Sequence, residues 1–329
     1  RGRPDRLPSC RSRGRPDRMP ALLSAVATAS VRTLSVPGRL TGVLRHAAAI
    51  GLMLPLVACV CCCSRNGTGG GRPPTRLSAL DDYRDWRHVL QTYVNDDGLV
   101  DYRGLKNNRE RLDRFVQALD ELDSGTYRAW STERKVAFWI NAYNALTLRI
   151  IIDHYPIEGG LFAGVVHPAN SIRQIDGAFD GITHRIMGRE MTLDEIEHQT
   201  LRRDFNEPRI HLALVCAALS CPELRQEPYG GDQLERQFDD QARTFVGDPD
   251  NVCIDHEEKV VHLSAIFDWF GGDFKQGYTP ASGFDAYTDK HAAVLNYLSG
   301  FLGVRTRERL AEGDYKVAFI DYDWTLNDW

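Results

Sequence analysis

The chain has 329 residues, 43% hydrophobic and 26% charged, enough apolar material for a sizeable globular core. The formal net charge of -5 is unevenly spread: residues 1–58 hold ten Arg and two Asp, leaving 30 basic and 43 acidic residues in the remainder. That acidic remainder argues against nucleic-acid binding, which needs a basic footprint, and against broad docking on anionic lipid.

Residues 1–58 read as a leader and a lipoprotein signal peptide. RGRPDR occurs at Arg1–Arg6 and again at Arg13–Arg18, with Met19 or Val43 as alternative starts. Arg39, Arg45 and His46 form a basic flank. The apolar run Ala47–Ala58 is too short for a spanning helix, which needs ~20 residues, and fits a signal-peptide hydrophobic region. Its end, Leu56-Val57-Ala58-Cys59, resembles the bacterial lipobox, so Cys59 is the expected lipidation site and the link to the membrane. Val60 follows in place of the Asp that retains lipoproteins in the inner membrane. In a Gram-negative bacterium this favours the outer membrane, facing the periplasm. Residues 59–76, with their Gly- and Pro-rich stretch Ser64–Thr75, form a flexible tether.

Residues 77–329 show no linker or internal repeat and read as a single domain. Apolar spacing predicts helices over Leu80–Tyr93 and Arg109–Leu122, with a short strand at Leu99–Tyr102 between them. Thr132–Tyr155 is the longest predicted helix, capped at Thr132 and stopped by Pro156. It is apolar on almost every side from Val136 to Ile152, hence central and buried. Asn141 and Asn144 share one of its faces. They either tether loop backbone or line a pocket. Ser171–Phe179 and Thr183–Arg189 are short strands or loops broken by glycines. Thr192 to Glu195 is a capping-box pattern that opens a helix to about Arg203 and places Glu197 beside its apolar stripe.

Arg209–Val215 reads as a buried strand. It contains His211 and runs into Cys216 and Cys221. Gln233–Phe245 is a polar helix, Val252–Ile254 and Lys259–Leu263 a hairpin, Ser264–Phe270 helical, Tyr287–Leu302 a helix, and Lys316–Tyr322 a last strand. Two tryptophans in the last six residues predict that the terminus packs back on the domain. The fold class is α+β, a mixed domain around a central buried helix.

Five ordered motifs spanning about Leu80 to Trp329 resemble one family, the domain of unknown function family 547. They are FWINAYNAL at Phe138–Leu146; LDEIEH at Leu193–His198 with Leu201-Arg202; HLALVC at His211–Cys216 with Ser220-Cys221-Pro222; LSAIFDWFGGDF at Leu263–Phe274; and YDWTLN at Tyr322–Asn327. The resemblance implies that Asn141, Tyr143, Asn144, Glu197, His198, His211 and Cys216 occupy recurrent family positions. Cys221 matches a position that looks like Ser in plant-type members and ranks below Cys216. The resemblance also implies a distantly papain- or transglutaminase-like fold. Such folds place a nucleophilic Cys at the start of a central helix, where this chain has Asn141 and no cysteine.

Three functional readings follow. In the first, Cys216 is the nucleophile of an amide or ester hydrolase or acyl-transfer enzyme. His211 or His198 is its base, Glu197 orients the imidazole, and Asn141 or Asn144 donates to the oxyanion. A free thiol titrates near ~8.5 and needs such help, because the thiolate attacks. A regular strand would send His211 and Cys216, five apart, to opposite faces. In the second reading, the domain binds a small-molecule or peptide ligand without chemistry, in a pocket lined by Asn141, Asn144, Glu197 and His211. The third, metal-dependent hydrolysis through His198, His211, Glu197 and Cys216, has no HExxH or paired CxxC spacing behind it. No cofactor is expected, since no dinucleotide fingerprint or phosphate-cradling loop is present. A disulfide between Cys221 and Cys253 would suit an oxidising envelope.

Overall fold

The structure, a computed structural model, describes residues 80–159, 164 and 166–329. The leader and signal peptide expected over 1–58, the expected lipidation position Cys59 and the tether expected over 59–76 lie outside the described residues. Among the described residues, no helix is long and apolar enough to cross a membrane.

The architecture is α+β. Helices α1 (Arg84–Tyr93), α2 (Tyr102–Asn107), α3 (Glu110–Glu121) and α4 (Ser124–Arg128) precede the long α5 (Thr132–His154). The cap of α5 is Ser131, which accepts from the Arg134 amide at 3.2 Å, one residue before the predicted Thr132. Its side chains from Val136 to Leu148 are all buried, which is why its hydrophobicity has almost no polar side. The predicted strand at Leu99–Tyr102 reduces to backbone bridges from Val100 to Val94 and Asp328. Tyr102 instead opens α2, because Asp101 accepts from the Gly104 amide at 2.7 Å and starts the helix there.

A hairpin follows, β1 (His184–Ile186) against β2 (Arg189–Met191). Its two turn residues, Met187 and Gly188, both have positive φ, as a right-twisted two-residue hairpin loop requires. After it, residues 195–205 form a π-helix and Pro208–Leu212 a 3₁₀ turn. Next come α6 (Leu234–Gly247), the strands β3 (Val252–Asp255) and β4 (Val260–Ser264), α7 (Ala265–Phe270), the short α8 (Lys275–Tyr278), α9 (Asp289–Ser299), α10 (Val304–Glu312) and β5 (Lys316–Ile320). Strands β3 and β4 pair antiparallel, as the hairpin pattern predicts, and β5 lies parallel to β4. Helix α10 is an addition, buried mainly through Leu310 and too polar for its spacing to be read.

The core forms two clusters. One surrounds α5 and takes in Trp86, Phe115, Val215 and Leu326. The other lies over the three-stranded sheet and takes in Leu212, Phe267, Phe274 and Leu295. The stretch from His211 to Cys216 runs from one cluster to the other. Tyr322 packs against both. The predicted strand at Arg209–Val215 is therefore absent. Its backbone is a 3₁₀ turn over Pro208–Leu212 and then irregular, with no strand paired to it among the described residues, and what pairs its end is an asparagine side chain.

Candidate active site

That asparagine is Asn144. It donates to the Ala213 carbonyl at 3.0 Å and accepts from the Val215 amide at 2.9 Å, mimicking a strand neighbour. Asn141 does the same one turn earlier, donating to the Tyr229 carbonyl at 2.8 Å and accepting from the Tyr229 amide at 2.9 Å and the Trp86 indole at 3.2 Å. Both amides are buried, and each both donates to and accepts from backbone. This corrects two expectations: Asn141 and Asn144 are backbone tethers, and neither lines the cleft or is free to stabilise an oxyanion. An Asn144→Ala protein leaves two buried backbone groups unpaired, each costing about 1–3 kcal/mol. Its stability by urea unfolding should fall by about 3 kcal/mol. An unchanged midpoint would mean that the loop holds itself.

The loop so tethered carries Cys216 and Cys221, whose sulfurs are joined as a disulfide. Cys221 is thus paired with Cys216 and not with Cys253. The Cys216 amide donates to the Cys221 sulfur at 2.9 Å, and the Tyr322 hydroxyl lies 3.2 Å from one sulfur and 3.1 Å from the other. Between the cysteines, Ala217 sits at φ 60, a left-handed conformation that costs a residue with a Cβ about 1 kcal/mol. The chain terminus clamps this loop: Leu219 donates to the Thr325 carbonyl, Ser220 to that of Asp323, and Asn327 to that of Ala217. The terminus does pack back, and it packs on the cysteine loop.

The π-helix supplies a second wall. Its entry is the predicted capping box, Thr192 amide to Glu195 at 2.9 Å and Glu195 amide to Thr192 hydroxyl at 3.2 Å. Asp194, Glu197 and His198 line the cleft from this element. Burial pushes the Glu197 carboxyl up to about 7, against the opposing hydrogen bond from the Tyr143 hydroxyl, so near neutrality it carries a proton for about half the time. Its side chain is 12% exposed.

His211 is buried and stacked on Phe270, with centroids 4.2 Å apart and planes at 7°. Its Nε2 lies 2.8 Å from Asp273, and its Nδ1 faces Glu197 at 3.9 Å. Asp273 also takes two bonds from Arg202, at 2.7 and 2.9 Å. Burial alone would raise the Asp273 carboxyl. The hydrogen bonds from His211 and Arg202 outweigh it and hold the group well below the usual carboxylate range. Burial lowers His211, so the imidazole is neutral, donates from Nε2 to ionised Asp273, and leaves Nδ1 without a proton. His198 is more open and is also lowered by burial. The Arg202 guanidinium donates to its Nδ1 at 3.2 Å.

Cys216, His211, His198, Glu197 and Tyr143 thus line one cleft of about 250 Å³. Because Arg209–Val215 is not a regular strand, His211 and Cys216 reach the same space. Sequence reasoning missed Asp273, Arg202 as its partner, Tyr322, Arg173 and the indoles of Trp269 and Trp324. All of these but Arg173 stood inside the quoted motifs, but nothing in spacing alone assigns Asp273 to His211, sixty-two positions away. Residues 127–246 match a family model whose description is "Protein of unknown function, DUF547". No curated protein matches the chain, and no solved structure does. The matched segment holds the tethers, the π-helix and both cysteines, whereas Asp273, Phe270 and Tyr322 lie beyond it.

Proposed function

We propose that this chain, which carries a segment of the DUF547 family, is a thiol-dependent acyl-transfer enzyme that hydrolyses an amide or ester, held at the cell envelope by a lipid on Cys59. The observation that carries the reading is the convergence of Cys216, His211 and Glu197 on one cleft, with His211 held from behind by ionised Asp273. An external dithiol first reduces the bond between Cys216 and Cys221. The Cys216 thiolate attacks the carbonyl carbon, and the C–N or C–O bond breaks as the leaving group takes a proton from the Glu197 carboxyl. Water, losing its proton to Glu197, then releases the acid and the free thiolate. His211 presents its unprotonated Nδ1 to Glu197 and fixes that carboxyl's environment. Tyr322, whose hydroxyl burial pushes far up and so keeps protonated, is the donor beside the sulfur and takes the oxyanion role expected of Asn141.

The test is thiol labelling against pH. After mild reduction, iodoacetamide should modify Cys216 in the folded protein with an apparent pKa below ~8.5, and an activated ester should be hydrolysed. Cys216→Ala should abolish that hydrolysis. A reduced Cys216 that stays inert until the protein is unfolded would overturn the reading. The second reading, ligand binding without chemistry, would then hold, favoured by the half-exposed indoles of the cleft.

A further inference from the structure

We propose that Arg173 and the indoles of Trp269 and Trp324 form an anion subsite of the cleft, so that the substrate carries a free carboxylate a few bonds from the scissile carbonyl, as an N-acyl amino acid or a peptide C-terminus does. The proposal rests on the acyl-transfer reading for the identity of the scissile group, though not for the binding of the carboxylate.

Arg173 projects from a 3₁₀ turn, Ile172–Gln174, opened by Ser171, whose hydroxyl accepts the Arg173 amide at 3.2 Å. Its guanidinium lies 5.2 Å from the Trp324 ring and 5.9 Å from the Phe179 ring. Cation–π contact of this kind uses none of the N–H donors, so the fork stays available to a bidentate partner. Among the described residues, no carboxylate lies within ion-pair distance of it. Arg202, the next guanidinium, is spent on Asp273. The cleft's exposed carboxylate, Asp194, faces His198 Nε2 at 3.9 Å. Arg173 is therefore the cleft's one cation without a protein counter-ion among the described residues.

The rings beside it lead to the sulfur. Trp269 is 47% exposed and stacks on Trp324 at 6.0 Å and 24°. The Tyr322 ring lies 4.7 Å from Trp324, and its hydroxyl is the one beside Cys216. A ligand whose carboxylate sits on Arg173 lays its body over the indoles and brings its next carbonyl toward Tyr322 and Cys216. Such a platform accepts apolar or ring-bearing side chains, since every partner here is an aromatic face.

The probe is N-acetyl-leucine against N-acetyl-leucine amide, titrated into the whole protein and read by intrinsic tryptophan fluorescence, which needs no turnover. The carboxylate form should bind at least about tenfold tighter than the amide, as one charge-assisted pair provides. Arg173→Gln should reduce it to the amide's affinity, and Arg173→Lys should recover part of the difference. Equal binding of the two compounds, no saturable change with either, or an unchanged preference in Arg173→Gln would overturn the proposal. Carboxylate preference in a protein whose reduced Cys216 is inert removes the acyl-transfer reading and leaves the subsite. Cys216-dependent turnover without that preference does the reverse.

Discussion

Asp273→Ala should cost about 3 kcal/mol of stability at neutral pH and raise the labelling pKa of reduced Cys216 or slow its acyl turnover at least tenfold. Asp273 ties its own segment to two elements remote from it in sequence, the π-helix through Arg202 and the 3₁₀ turn through His211. The side chains of Asp273 and Arg202 are 26% and 29% exposed, so both are largely withdrawn from water. Removing one partner from such a pair leaves the other charge uncompensated, at ~3–5 kcal/mol for full burial and somewhat less here. The loss should depend on pH. The native carboxyl is held below its ordinary value, so the stability it contributes is present above that value and disappears as pH falls through the native one. Urea unfolding of wild type and variant should therefore differ at pH 7.5 and converge toward pH 2. An equal gap at both pH values would show that Asp273 acts by packing. Without it, His211 is free to exchange its ring proton between nitrogens, which is why the sulfur chemistry should respond as well.

Glu197→Gln should make the protein more stable than wild type by about 3 kcal/mol above pH 7, with no difference below pH 4.5. The folded pKa of about 7 stands above the ordinary 4.5, because burial disfavours the charge. The native state then holds a proton that the unfolded chain has released, so stability is full below 4.5 and declines as pH rises through 7. At about 1.4 kcal/mol per pH unit, the span between the two values gives the stated magnitude. Glutamine keeps an oxygen for the Tyr143 hydroxyl and removes the titration. The comparison isolates this group, because the opposite acid slope from Asp273 is common to both proteins. Parallel stability curves from pH 4 to 8 would show that Glu197 is solvated in the native state. The same variant should lose most of its acyl turnover at every pH, since glutamine neither gives nor takes the proton that the reaction moves.

Asn141 and Asn144 show where sequence reasoning stops. Their spacing on one face of a buried helix was legible, because helical geometry decides it. Whether they faced a pocket or a backbone was not, since their backbone partners lie 69 to 88 positions away. The strand expected at Arg209–Val215 failed for the same cause. An apolar run bounded by turn residues fits a strand only if another strand lies beside it, and here a side chain took that place.

The sequence by itself determined the α+β class, the central helix, the β3–β4 hairpin and the capping box at Thr192. All of these rest on contacts within a few residues, which periodicity and turn chemistry record. Only the tertiary structure decided that Cys216 pairs with Cys221, that Asp273 stands behind His211, and that burial pushes the Glu197 carboxyl up toward neutrality. Those depend on burial and on meetings across the two core clusters. Desolvation and long-range pairing are properties of the packed chain, and no local pattern encodes them.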